Sequence, residues 1–358
     1  MLRLETAPDT TDPREIRKLA AQRLGGRSLN GPIVGLVFPE EVTWRNHRDG
    51  WLFVAHRKAA GKTKKTRAEA RVELVRADRA GPNDLAVRSP EFTILSGKAL
   101  ALFGLGAIGS PSAVGFAKAG MGELRLVDDD IVEPGTVVRW ELGLDAAGLY
   151  KAPTLAGYIE RNWPYTEAKP FVWRVGSPLH EHIDELDAMN QALQDVDLIY
   201  DATAELGIQY LLASIAGEHQ LPYVAVSATA GGWGGLILRI HPQLTRACWI
   251  CHRLHLQDGS IPRPPADPNG YIQPTGCAET TFVGSALDLE EVALQGVRTT
   301  VETLVEPDPQ EWWDIAIGTF RSDSGRPVTP NWRTFKLVRH PRCPAHPGPR
   351  GSGVTENR

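Results

Sequence analysis

The segment KALALFGLGAIGSPSAVGFAKAGMGELRLVDDD, residues 98–130, most constrains the fold of this chain. An apolar run ends in a glycine-rich turn, an amphipathic stretch follows, and a second apolar run closes on three aspartates. That order is strand, turn, helix, strand, the unit of a parallel α/β sheet. Gly104, Gly106 and Gly109 fill a G-x-G-x-x-G pattern. The first permits a tight turn, the second lets a phosphate approach the backbone, and the third lets helix and strand pack closely. The N-terminus of the helix behind them favours an anion. Ser110 is placed to cap that helix, with Pro111 in its first turn.

The pattern continues downstream. KAPTLAGYIERN and GIQYLLASIAGEHQ read as helices, and KPFVWRV, DVDLIYDAT and LPYVAVSA as strands. GGLILRIHP extends the sheet with antiparallel strands, and SALDLEEVALQGVRTTVETLV reads as a long helix. The expected fold is α/β: a Rossmann-like, mostly parallel sheet with helices on both faces and an antiparallel extension. Before it, residues 1–92 form a small α+β accessory region, with strands at IVGLVFPEEV, GWLFVAHRK and ARVELVRADRAG around a basic run, AAGKTKKTRAEA. Residues 93–347 form the main domain, and 348–358 a disordered tail.

Composition excludes little. The net charge of −4 over 358 residues points to no nucleic acid. No run approaches about 20 apolar residues, so no membrane span is expected. The N-terminus lacks the apolar core of a secretory signal, which gives a cytoplasmic location by default.

Asp128 lies about twenty residues beyond the glycine loop, where an acid hydrogen-bonds a ribose hydroxyl. A nicotinamide-dependent oxidoreductase would need little more. It would not account for Asp130, Arg139 and Lys151, and no catalytic tyrosine–lysine pair is evident. A further acid beside phosphates suits Mg²⁺, and Arg139 and Lys151 suit phosphate charge as it shifts in a transition state. That grouping favours ATP.

Two knuckles follow: Cys248 and Cys251 in CWIC, then Cys343 and His346 in RCPAH. Two pairs with matching spacing make a closed Cys₃His set, which suits structural Zn²⁺. His252 and His255 are weaker alternative ligands. Cys277, in PTGCAETTFVG beside Thr280 and Thr281, remains as an inert thiol, a stray ligand or a nucleophile.

GLGAIGS, LVDDDIVEPGTVVRW, YKAPTLAGYIERNWP and DLIYDATAE, taken in order, resemble the ThiF/MoeB/ubiquitin-activating-enzyme superfamily over Leu95 to His346. The resemblance implies ATP-dependent adenylation of a C-terminal carboxylate on a ubiquitin-like or sulfur-carrier-like protein, or on a peptide. It assigns Asp128 to the ribose, Arg139 and Lys151 to the phosphates, and Asp130 to the metal region. It implies an arginine from near the N-terminus, for which Arg88 is the candidate. It also implies thioester formation at Cys277, a homodimer and a conjugating enzyme as partner. Two positions depart from the family. Thr136 stands where asparagine is usual. Ala204 stands where an aspartate helps hold Mg²⁺, a loss that Asp201, Asp130 or Glu205 would have to make good. Adenylation of a peptide or tRNA without a thioester, and a non-catalytic scaffold, are the competing readings.

Overall fold

The computed structural model describes residues 1–9, 11–23, 33–57, 71–176, 185–272, 281–305, 307–346 and 355–356. The chain divides into two compact units, Met1–Arg88 and Ser89–Arg358.

The first unit is built on a four-stranded sheet in the order β1 (Leu2–Arg3), β2 (Ile33–Thr43), β3 (Asn46–Arg57), β4 (Arg71–Ala77). β1 runs parallel to β2, and the other pairs are antiparallel. Helix α1 (Pro13–Arg23) buries Ile16 and Ala20 in a small core with Leu4, Leu36 and Val54. A short helix, α2 (Pro82–Leu85), belongs to the same unit.

The second unit opens with α3 (Phe92–Leu95), then β5 (Ala99–Phe103), α4 (Gly109–Ala119), β6 (Glu123–Val127), α5 (Lys151–Asn162) and β7 (Glu167–Phe171). It continues through α6 (Glu185–Leu193), β8 (Leu198–Asp201), α7 (Leu206–Glu218), β9 (Tyr223–Ala228), β10 (Gly234–Ile240) and α8 (Trp249–Asp258). A two-stranded ribbon, β11 (Tyr271–Ile272) with β12 (Thr281–Phe282), precedes α9 (Ala286–Val305), β13 (Ile315–Arg321), β14 (Pro327–Lys336) and β15 (Thr355–Glu356).

Nine strands form one sheet in the order β15-β14-β13-β10-β9-β8-β5-β6-β7. The five from β9 to β7 are mutually parallel, and β10, β13, β14 and β15 extend the sheet antiparallel. The α/β expectation therefore holds, including the antiparallel extension. β5 and β8 are almost wholly apolar because both of their faces are covered. One face packs α4, α5 and α9, with Leu102, Phe116, Leu155 and Val292 in its core. The other packs α6, α7 and α8, with Phe103, Leu193, Leu212 and Cys251. Helix α9 crosses Tyr200 and Val226 at Gly296, where any Cβ would collide with both side chains.

Some local expectations change. Ser110 is not the cap of α4: the helix begins at Gly109, and Ser110 Oγ donates to the Gly106 carbonyl at 2.9 Å. The glycine turn thus feeds directly into the helix. The strand expected over KPFVWRV ends at Phe171, although Trp173 and Val175 beyond it are buried. Thr355 and Glu356, in the stretch expected to be a disordered tail, pair with Lys336 and Phe335.

Candidate nucleotide site and metal centre

The C-terminal ends of β5 and β6 bring the glycine turn and the three aspartates together. Gly104 has φ +83°, a conformation that side chains resist, and a Cβ there would meet the Ala202 and Thr203 backbone at 2.9 Å. Gly109 packs against the Gly104 carbonyl. Nothing lies within 4 Å of the direction a Cβ would take at Gly106, so the backbone there is open to a ligand.

Asp128 locks this turn. Its Oδ2 accepts the Leu105 amide at 2.6 Å, and its Oδ1 accepts the Asp130 amide at 2.8 Å. Lys151, the first residue of α5, places Nζ 2.7 Å from Asp130 Oδ2 and 3.8 Å from Asp128 Oδ1. Burial pushes the Asp128 carboxyl above its ordinary pKa, while Lys151 and the two amides oppose that rise. On the other side of the turn, Trp140 Nε1 donates to the Leu105 carbonyl at 2.7 Å. Neither the Leu105 amide nor Trp140 was singled out by the motif, because both act through contacts that only the folded chain creates.

Arg139 is held differently. Its Nη1 donates to the Phe282 carbonyl at 2.7 Å, Nη2 lies 3.4 Å from Thr281 Oγ1, and the guanidinium stands 5.7 Å from the Phe282 ring centroid. The arginine assigned to phosphates is therefore tied to β12. Burial lowers its pKa. Thr136 donates its hydroxyl to the Glu133 carbonyl at 2.9 Å and closes a turn, which occupies the group that stands in for asparagine.

At the end of β8, Asp201 is fully buried. Its Oδ1 accepts the Thr203 amide and hydroxyl at 3.0 and 2.7 Å, and its Oδ2 accepts the Tyr223 hydroxyl at 2.8 Å. With both oxygens engaged in the interior, Asp201 does not replace a missing metal ligand. Ala204 has φ +58°, a left-handed conformation unusual for a residue with a Cβ. Glu205 lies 3.9 Å from Arg174, with half of its side chain exposed. The carboxylates of Asp128, Asp129 and Asp130 lie within 4.8 Å of one another, a donor set that suits a hard divalent ion. Arg88 ends the first unit. Cys277 and Thr280 lie outside the described residues.

The two knuckles meet. Cys248 Sγ is 3.9 Å from Cys251 Sγ and 3.7 Å from Cys343 Sγ. His346 Nδ1 is 3.7, 3.4 and 3.4 Å from the sulfurs of Cys248, Cys251 and Cys343. A tetrahedral Zn²⁺ with ordinary bond lengths requires edges of about 3.8 Å between sulfurs and about 3.6 Å between sulfur and nitrogen. The four residues fit zinc on both counts. Cys248 and the His340 amide, which donates to Cys251 Sγ at 3.3 Å, favour a thiolate at Cys251.

His252 and His255, the alternative ligands, are not in this set. His252 is buried with neither ring nitrogen bonded, and burial drives its pKa down to about 3. His255 Nε2 donates to the Val338 carbonyl at 3.0 Å. With Asp258 and His340 it forms a second group, in which His340 Nε2 donates to Asp258 Oδ2 at 2.8 Å and His340 Nδ1 accepts the Arg342 amide. Both nitrogens of His340 are thus engaged, so this group braces the knuckle. No described helix is long and apolar enough to cross a membrane.

The model of the ThiF family matches residues 88–299. A protein of Sinorhizobium fredii known as y4qC is 36% identical over 85% of this chain and 54% of its own length. The adenylyltransferase and sulfurtransferase UBA4 of Scheffersomyces stipitis is 25% identical over 59% of this chain and 41% of its own length. The chain spans about half the length of the curated relatives it matches. Among solved structures, Escherichia coli MccB with ATP shares the fold with a TM-score of 0.51 at 15% identity, over 71% of this chain and 68% of that one.

Proposed function

This chain belongs to the ThiF family, and on that premise we propose that it uses ATP to adenylate a C-terminal carboxylate. One observation carries the reading: a glycine turn open at Gly106, clamped by Asp128 and flanked by Lys151 on an acid pair. Asp128 orients the turn through the Leu105 amide and retains lone pairs for a ribose hydroxyl. Lys151 supplies a cation beside the phosphates. The substrate carboxylate attacks the α-phosphorus, the bond to the bridging oxygen breaks, and pyrophosphate leaves. Mg²⁺ would neutralise phosphate charge, with Asp130 among its ligands. Zn²⁺, closed by four protein ligands, would be structural.

The substrate we favour is the tail of a ubiquitin-like or sulfur-carrier-like protein, or a peptide. The name of UBA4, adenylyltransferase and sulfurtransferase, supports that class. The solved MccB complex with ATP supports the nucleotide. Cys277 would take the acyl group as a thioester with release of AMP, for sulfur transfer or for passage to a conjugating enzyme. Arg139 would turn from Phe282 to the phosphates, and Arg88 would act across a homodimer. Ile131, Val138, Leu144, Leu149 and Tyr150 are exposed apolar residues in the segment between β6 and α5, which supports a subunit interface there. Light scattering that finds only monomers would remove the dimer.

ATP–pyrophosphate exchange driven by a candidate tail tests the central reading. Exchange is expected to require a free carboxylate and to vanish in Lys151→Met. A specific observation favours a second reading, a nucleotide-binding scaffold: Asp201 is sealed in the interior and residue 204 lacks a carboxylate. Bound ATP without exchange for any tail would select it.

A further inference from the structure

Between β9, β10 and α8 lies a cavity of about 540 Å³. Its wall is more apolar than polar, with Leu254 contributing from α8. The polar part consists of Ser227 and Thr229 at the end of β9, Gln257, and two arginines, Arg253 and Arg263.

Among the described residues, no carboxylate pairs with either arginine. Half-buried Arg253 stands 5.8 Å from the Trp249 ring centroid, and Arg263 donates to the Leu256 carbonyl at 3.4 Å. Burial, and then the charge of Arg263, lowers the pKa of Arg253. Three other guanidiniums in this unit are matched: Arg125, Arg239 and Arg321 face Glu123, Glu302 and Asp288 at 2.6, 3.0 and 2.7 Å. Two neighbouring guanidiniums without a counter-charge, in a cavity with apolar walls, complement a carboxylate on an apolar segment.

The location narrows the source of that carboxylate. Ser227 and Thr229 lie at the C-terminal end of β9, and the glycine turn follows the C-terminal end of β5, with β8 between. Two strand spacings are about 10 Å, which an extended peptide covers in about three residues.

We propose that Arg253 and Arg263 bind an acidic side chain in the substrate tail, about three residues before the carboxylate that is activated. The proposal rests on the adenylation reading for its substrate. As a specificity site it would select tails carrying Asp or Glu near the end.

The test uses the full chain and two blocked peptides, acetyl-Ala-Glu-Ala-Ala-amide and its Gln counterpart, observed by ligand NMR. Neither can be adenylated, so the measurement reads the cavity alone. The Glu peptide should bind about tenfold more tightly than the Gln peptide, in line with a charge-assisted pair. Arg253→Gln and Arg263→Gln should each remove most of that difference, and Arg253→Lys should retain part of it. Zinc content and melting temperature report folding. If Arg253→Gln does not fold, Arg263→Gln, at an exposed residue, decides alone. Equal binding of both peptides, or no change in the double variant, overturns the proposal. Displacement by inorganic phosphate at the same concentration as the Glu peptide also overturns it, in favour of a simple anion site. Exchange with free-carboxylate peptides is measured separately: its failure while the Glu peptide still binds would sink the adenylation reading and leave the arginine site standing.

Discussion

Lys151 Nζ lies 2.7 Å from Asp130 Oδ2 and 3.8 Å from Asp128 Oδ1. One amine therefore opposes the burial of one acid and pairs with the next. Lys151→Met should cut ATP affinity about tenfold or more, the scale of a lost charge-assisted contact. The same substitution should raise the pKa of Asp128 further, since Lys151 is the largest influence opposing its burial. Isothermal titration with ATP across pH 5 to 8 reads both effects. Affinity that falls without any change in pH profile would separate Lys151 from Asp128.

Asp201 gives a stability prediction with a definite sign. Burial raises its folded pKa above the ordinary carboxylate range. Folding thus favours the protonated acid, and the cost of ionisation appears as pH rises through the unfolded pKa toward the folded one. The stability of the wild type relative to Asp201→Asn should fall as pH rises through that window and level off above it. Urea denaturation at a series of pH values measures the difference. A gap independent of pH would refute the assignment.

Ala204 sits at φ +58°. A left-handed conformation costs a residue with a Cβ roughly 1–2 kcal/mol, so Ala204→Gly should stabilise by about 1 kcal/mol. In a domain of this size that is a rise of about 2–4 °C in Tm by calorimetry. Ala204→Asp tests the other side of the departure: if the missing carboxylate limits Mg²⁺ use, it should raise exchange and lower the Mg²⁺ needed for half-maximal rate.

Zinc analysis should find one ion per chain. Cys343→Ser should lose it, whereas His346→Cys, which keeps a tetrahedral ligand set, should retain it. Chelation should lower Tm in the wild type and leave Cys343→Ser unchanged. Atomic emission and calorimetry on the same samples suffice.

Arg239 is fully buried between the rings of Trp312 and Trp313, 3.6 and 4.1 Å from their centroids. Arg239→Ala should cost about 3 kcal/mol, the usual scale for emptying a packed site, and Arg239→Met should recover much of that loss. Equal loss in both would show that the pairing with Glu302, rather than packing, holds the site.

The parallel sheet and the knuckles were legible because their signals are local. Periodicity marks β5, α4 and β6, and a two-residue spacer fixes each half of the metal set. What escaped depends on distant residues meeting. Arg139 looked like a free phosphate ligand, yet it is bonded to Phe282, 143 residues away in sequence. Asp201 looked available because it ends a strand, and only the fold seals it beneath Tyr223. The unmatched arginines 253 and 263 carried no motif at all, since the absence of a counter-charge is a property of space.

Cys248 and Cys343 stand 95 residues apart in sequence. Metal at that point closes a loop containing α9, β13 and β14, half of the antiparallel extension and the long helix that crosses Tyr200. A clip of that span takes about 4–5 kcal/mol of chain entropy out of the unfolded state. Those elements should therefore open and close with α8 as one cooperative block. Free zinc then acts as a folding ligand, and the amount of native chain follows its supply.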